Sequence, residues 1–154
     1  MAHAHAFAAE VKKQIDLLEA RGHGFSGIIL CPFFANEGFP DLPHGWLDPT
    51  VAVVRAAGGI IIADEVQPGF GRLGSMFGSE HYELKPDLIT IAKGLTSAYA
   101  PLSGSIVSDR MWRVLEQGTD EFGPFGHGWT YSAHPIGAAA GVANLSLLDD
   151  LNLI

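Results

Sequence analysis

The sequence predicts an α/β fold with a mostly parallel sheet and helices on both faces. Short apolar runs of strand length alternate with segments that carry helical spacing or helix-start signals, and glycines or prolines punctuate the junctions. Residues 7–20 come first: Phe7, Val11, Ile15, Leu17 and Leu18 recur mainly every three or four positions, which predicts an amphipathic helix closed by Gly22 and Gly24. Residues 27–31 are a continuous apolar run before Pro32, the pattern of a strand buried on both faces. Asp48 as N-cap and Pro49 as the first helical residue predict a second helix that runs to Ala57 and stops at Gly58 and Gly59.

The alternation then continues. Residues 59–63, 87–91 and 103–107 read as further strands, Asp109 as the cap of a helix through Gln117, and the small apolar residues of 133–151 as a closing helix. The glycine- and proline-rich stretches 35–45 and 118–128 are expected to be functional loops. Strand order does not follow from the sequence, but a parallel sheet binds its ligands at the carboxyl ends of its strands.

The chain has 154 residues, of which 47% are apolar and 17% charged, enough for one domain with a real core. A formal net charge of −8 with no basic cluster excludes a nucleic-acid binder, which needs cations to displace the counterions of phosphates. The apolar runs fall far short of the roughly 20 residues that cross a bilayer. No basic start with an apolar run opens the chain, so a soluble, non-secreted, cytoplasmic protein is expected. Cys31 is the only cysteine, which removes internal disulfides and thiol-rich metal sites. His3 sits third from the amino end, where an amine, two amides and an imidazole could hold Cu(II) or Ni(II), but His3 and His5 are expected in a frayed end.

Two polar residues stand directly after predicted strands: Asp64 after the isoleucine-rich run 60–63, and Lys93 after 89–92. If those strands are parallel neighbours, an acid and an amine converge on one carboxyl edge. That pair suits pyridoxal phosphate: the lysine forms a Schiff base, and the carboxylate keeps the ring nitrogen protonated so that the ring accepts electrons. The amine must be partly neutral to act as nucleophile and proton shuttle, and burial against apolar strands is expected to favour that form. Each residue also has an ordinary reading, Asp64 as a turn former and Lys93 as a solvated helix end before Gly94.

Longer strings carry more. The run from Ala63 through Asp64, Glu65, Val66, Gln67, Pro68, Gly69, Phe70, Gly71, Arg72 and Leu73 to Gly74 resembles the signature of class III (omega-type) aminotransferases. Residues 87–95, around Lys93, resemble that family's Schiff-base segment, and 126–135, around Thr130, its phosphate-contacting threonine segment. The resemblance covers the chain from about Phe7 onward. It implies a partial fold-type I large domain over 1–154, with the upstream phosphate loop and the downstream small domain lying outside it, and a piece nearly inactive by itself.

Position by position, the resemblance implies that Lys93 is the Schiff-base lysine, that Asp64 pairs with the pyridinium nitrogen, that Val66 packs on the ring and that Gln67 lies near the ring hydroxyl. Thr130 would contact the cofactor phosphate of the neighbouring subunit, because the family's site lies at a homodimer interface. The implied reaction moves an amino group from a primary amine or amino acid to an oxo acid such as pyruvate. No metal is implied. Gly69, Gly71 and Gly74 are read simply as permitting a tight loop.

Other readings compete. Asp64 beside Glu65 fits the acidic pair of a Mg²⁺-dependent nucleotide hydrolase, yet the chain lacks the Gly-rich lysine loop that such an enzyme needs. His127 and His134 flank Thr130 without cysteine or carboxylate partners at metal-ligand spacing, and Trp129 and Tyr131 read as packing residues. A non-catalytic α/β module derived from the family is a further rival. Where family members carry Glu-Pro this chain has Cys31 and Pro32, and the second glutamate falls on or beside Asn36, next to Glu37. Those departures fit amine-to-pyruvate chemistry, and equally a lyase or decarboxylase of the same fold. Arg55, Arg72, Arg110 and Arg113 do not match the arginine that receives the substrate carboxylate in the family.

Overall fold

The computed structural model describes residues 1–154. Strands β1 (Gly27–Leu30), β2 (Ile60–Asp64), β3 (Leu88–Ile91) and β4 (Gly104–Val107) form one sheet in the order β1-β2-β3-β4. The first three are parallel, with Leu30 opposite Ala63 and Asp64 opposite Thr90, and β4 runs antiparallel beside β3. Crossovers carrying α2 (Asp48–Ala56) and the short α3 (Gly78–His81) link the parallel strands. The connection from β3 to β4 holds only a 3₁₀ turn, Lys93–Thr96, and reverses the chain. Helices α1 (Ala2–Ala20), α4 (Asp109–Phe122) and α5 (Pro135–Asp150) complete the fold.

The core lies on one face of the sheet. Ile61 and Ala63 of β2 and Leu30 of β1 meet Leu47 and Val54 at α2, with Val11 of α1, Ile28 and Ile89 packed around them. Val54 and Ile61 are almost wholly removed from water, each contributing about 1.5–3 kcal/mol. The sequence suggests that the first strand is buried on both faces, but Ile29 points away from this core and is 61% exposed. Helices α1 and α2 pack against each other and share the core that Leu30 and Ile61 enter.

Helix boundaries depart from expectation for local reasons. Helix α1 starts at Ala2, since Ala8 and Ala4, seven and eleven residues before Ile15, extend its buried stripe backward at helical spacing, while Leu17 and Leu18 stay partly exposed. His3 and His5 therefore lie on a helix and not in a frayed end, and helical winding turns successive amides around the axis, away from a common chelate plane. At α2 the buried Leu47 takes the N-cap position and Asp48 falls in the first turn, where its charge suits the helix dipole. Helix α4 begins after Ser108 and runs past Gln117 to Phe122, taking residues 118–122 out of the expected loop. Gly118 within it costs about 1 kcal/mol. Helix α5 begins at Pro135, whose ring suits a first helical position.

Asp87 joins these pieces. It lies just before β3 and is 4% exposed. One carboxylate oxygen accepts from the Arg55 guanidinium and from the Ile61 N–H at 2.7 Å; the other accepts from Arg110. Burial alone would raise its pKa, yet the two guanidiniums and the Ile61 amide outweigh that and hold the carboxyl below its ordinary value. The end of α2, strands β2 and β3 and the start of α4 are thus pinned at one point.

Candidate active site

Asp64 is the last residue of β2 and is half-buried. Its Oδ1 accepts from the Val66 N–H at 3.1 Å and, across the strands, from the Thr90 hydroxyl at 3.4 Å. The Val66 contact is a side-chain turn over two residues, which an aspartate forms readily where a strand ends. Both contacts fall on Oδ1, so Oδ2 keeps its accepting capacity free. Thr90 escapes a reading of the sequence, because only the β2–β3 register brings it opposite Asp64.

Glu65 follows with a different task. It is fully buried, and its two carboxylate oxygens accept from the Gly78 N–H at 2.8 Å and the Ser79 N–H at 2.6 Å. The carboxylate thereby satisfies backbone donors at the start of α3 and closes the loop 65–79. The sequence allows Glu65 as half of a metal-binding pair; its oxygens are instead committed to backbone amides. Val66 and Gln67 lie half-buried in this loop, and the Gln67 carbonyl accepts from Arg72 Nε at 2.8 Å. Gly71 and Gly74 adopt φ of +89° and +79°, the tight-loop role expected of them. Gly69 does not take a positive φ and is bare because a Cβ there would stand 2.7 Å from the Glu65 carbonyl oxygen.

Lys93 opens the 3₁₀ turn after β3, in the left-handed region at φ 41°. For a residue with a Cβ this conformation costs about 1–2 kcal/mol, so the surrounding contacts must hold it. The loop that follows Asp64 is one of those contacts: a Cβ on Gly94 would stand 3.2 Å from the Gly69 carbonyl oxygen and 2.9 Å from Phe70 Cβ. Asp64, Val66, Gln67 and Lys93 therefore share the carboxyl edge of two adjacent parallel strands.

A cleft of about 790 Å³ opens at Lys93. Its walls include Ala92, Thr96 and Pro101 from the segment after β3 and, as a second wall segment, Trp129, Tyr131 and His134 from the residues before α5. Thr130 sits exposed within the turn that carries this second wall. Lys93 itself is exposed, so the burial expected around its amine is not supplied by β3; the short strand is only half-buried and the edge strand beside it is largely open. Trp129 and Tyr131, read as packing residues, are 76% and 79% exposed. No group of three or more His, Cys, Asp or Glu side chains is arranged to hold a metal ion.

The model of the class-III aminotransferase family matches residues 2–154. The chain belongs to that family. A diaminobutyrate–2-oxoglutarate transaminase of Halomonas elongata is 60% identical over 118 residues, covering 77% of this chain and 25% of the relative. An uncharacterized aminotransferase of Sinorhizobium fredii is 49% identical over 146 residues, covering 95% and 31%. Among solved structures, a transaminase from work on directed evolution by ancestral reconstruction superposes with a TM-score of 0.88 at 50% identity, covering 97% of this chain and 32% of the other. The omega transaminase of Pseudomonas jessenii in complex with PMP gives 0.86 at 30% identity, covering 97% and 32%. This class-III aminotransferase chain thus spans about a quarter to a third of the length of these relatives. None of its helices is long and apolar enough to cross a membrane.

Proposed function

We propose that the chain is the lysine-bearing part of the large domain of a pyridoxal-phosphate aminotransferase, which moves an amino group from a primary amine or amino acid to an oxo acid. One observation carries the reading: Asp64 and Lys93 stand at the carboxyl ends of adjacent parallel strands, joined by the Asp64–Thr90 contact and the packing of the 65–74 loop on Gly94. Family membership and the relatives' names support it.

The residues fit the cofactor. A cleft of about 790 Å³ lies within the range of small-ligand sites; Lys93 lines it, whereas Asp64, Val66, Gln67 and Thr130 are not among its lining residues. Asp64 has one oxygen fixed by two donors and the other free to accept from a protonated ring nitrogen. Val66 and Gln67 would flank the ring. When bound, the cofactor supplies an electron sink for the bonds at the substrate's α-carbon.

The protein's own work is then positional. Lys93 Nζ would be the covalent anchor of the cofactor and, once freed by the substrate amine, the base and acid that moves the α-carbon proton. A positioned base of this kind contributes about 10²- to 10⁴-fold. Asp64 would pair with the ring nitrogen through its free oxygen, with Thr90 and the Val66 N–H limiting its rotation. Lys93 is exposed in the single chain, so exclusion of water falls to whatever covers the cleft. Exposed Trp129, Tyr131 and Phe125 provide an apolar rim for that contact, and a second copy, with Thr130 reaching the partner's cofactor phosphate, is the cover proposed. A cytoplasmic location accompanies this reading.

The test is transfer of ¹⁵N from a labelled amine to pyruvate or 2-oxoglutarate by the full-length transaminase that carries this segment. Both acceptors belong in the assay, since the Halomonas relative is named for 2-oxoglutarate. Label appears in the product amino acid, and Lys93→Ala abolishes it; substantial transfer from the labelled donor by Lys93→Ala, with no other amine present to replace the lysine as base, overturns the reading. Release of carbon dioxide or ammonia without transfer would assign the chain to the decarboxylase or lyase relatives.

A further inference from the structure

The turn that presents Lys93 is held from outside by one side chain on α5. Asn144 is half-buried, and its amide nitrogen donates to the carbonyl of Gly94 at 2.9 Å and to that of Leu95 at 3.2 Å. Its amide oxygen accepts from the Ser97 hydroxyl. All three contacts fall within four residues of Lys93, on a segment whose backbone is left-handed at Lys93, Ser97 and Ala98. A segment with three such residues does not keep its shape by intrinsic preference; it needs external partners.

Helix α5 is built to bring Asn144 there. Gly137 and Gly141 precede it by seven and three residues, on the same helical face. A Cβ at Gly137 would stand 3.0 Å from the Pro101 carbonyl oxygen, and one at Gly141 2.9 Å from Leu102 Cδ2. The two bare positions let the helix axis close onto the segment 95–102, and at that separation a side chain of asparagine length reaches the turn. The residues just before α5 also line the Lys93 cleft. A single helix therefore both holds the lysine turn and leads directly from the residues that line the same cleft.

We infer that Asn144 is a positioning residue for Lys93, acting through the backbone of residues 94–97 and not by contact with substrate or cofactor. The inference deepens the aminotransferase reading and rests on it for the meaning of Lys93's placement. Asparagine is suited to this task because it offers two donors and an acceptor on a short, stiff arm. Aspartate has the same shape but no donor, and it turns a charge toward two carbonyl oxygens. Leucine has similar volume and makes none of the three bonds.

The experiment compares the wild-type protein with Asn144→Asp and Asn144→Leu by two readouts. The first, amide hydrogen exchange, needs no cofactor. Substitution is expected to speed exchange at Ser97 and Ala98, whose N–H groups donate to the carbonyls of Gly94 and Lys93, by about tenfold while β2 and β3 are unchanged. The second is the rate of borohydride-trapped pyridoxal phosphate addition at Lys93, measured against Lys12 and Lys85 by peptide mapping. It is expected to fall about tenfold at Lys93 only, since a displaced amine loses the benefit of orientation. Faster exchange with an unchanged Lys93 rate overturns the inference and leaves Asn144 as an anchor of α5 alone; unchanged exchange overturns it as well. Absence of a Lys93 adduct in the wild type counts against the aminotransferase reading, and the clamp on residues 94–97 then stands or falls on exchange.

Discussion

The hydroxyl of Thr90 donates to Oδ1 of Asp64 across 3.4 Å, from the strand position directly opposite in the parallel β2–β3 ladder. This contact is long for a hydroxyl–carboxylate hydrogen bond, so its worth is orientational more than energetic. Replacing Thr90 by Val keeps the branched shape and removes the donor. Stability is expected to change by under about 1 kcal/mol, whereas turnover of the full transaminase falls several-fold as Asp64 gains rotational freedom. Steady-state kinetics with matched thermal melts check this; a change in melting temperature with unaltered turnover contradicts it.

Removing the Asp64 carboxylate itself is expected to have a larger effect. On the proposed reading, Asp64→Ala should retain covalent attachment at Lys93, because attachment requires only the amine, but should forfeit the proposed partner of the ring nitrogen. Turnover in the full protein should drop by about 10²-fold or more. Peptide mapping after reduction separates attachment from rate, and an unaffected rate contradicts the role given to Asp64.

Glu65 is expected to govern the loop that carries Val66 and Gln67. Glu65→Gln preserves volume, yet its amide nitrogen must face a backbone N–H that the carboxylate accepted before. With the Gly78 and Ser79 amides buried, the loss is about 1.5–3 kcal/mol. Chemical denaturation measures it, and a loss below about 0.5 kcal/mol would show that other contacts close this loop.

Asp87 gives the fold a defined acid response. Its carboxyl lies below the ordinary value in the folded state, so ionisation favours folding. The contribution is fully present above the unfolded pKa of about 4 and disappears as pH falls from there through the lower folded value. The stability of the wild type should therefore decline below about pH 4 more steeply than that of Asp87→Asn. At neutral pH the substitution should cost about 2–4 kcal/mol, since Arg55 and the buried Ile61 N–H lose an ionised partner. Parallel acid-denaturation curves for the two proteins contradict this assignment.

Much of this arrangement is legible before folding. Four short runs became the four strands within one residue at each end, because β-branched and aliphatic residues bounded by glycine, proline or aspartate suit a pleated backbone. Asp64 and Lys93 were found by standing next to those runs. Other parts depend on contacts between distant segments. The exposure of Ile29 depends on what covers the sheet, and the Asp64–Thr90 pairing on strand register. Glu65 and Asn144 act on amides and carbonyls 13 to 50 residues away, and a polar side chain announces no particular distant partner. The start of α1 at Ala2 was hidden because its first buried residues are alanines, which carry little weight in an apolar pattern.

The most direct test of the account is intact-mass analysis and peptide mapping of the chain after incubation with pyridoxal phosphate and borohydride reduction. The account predicts one equivalent of adduct confined to Lys93 and absent from Lys93→Ala. Labelling spread over Lys12, Lys13 and Lys85, with Lys93 no more reactive than they are, would contradict it.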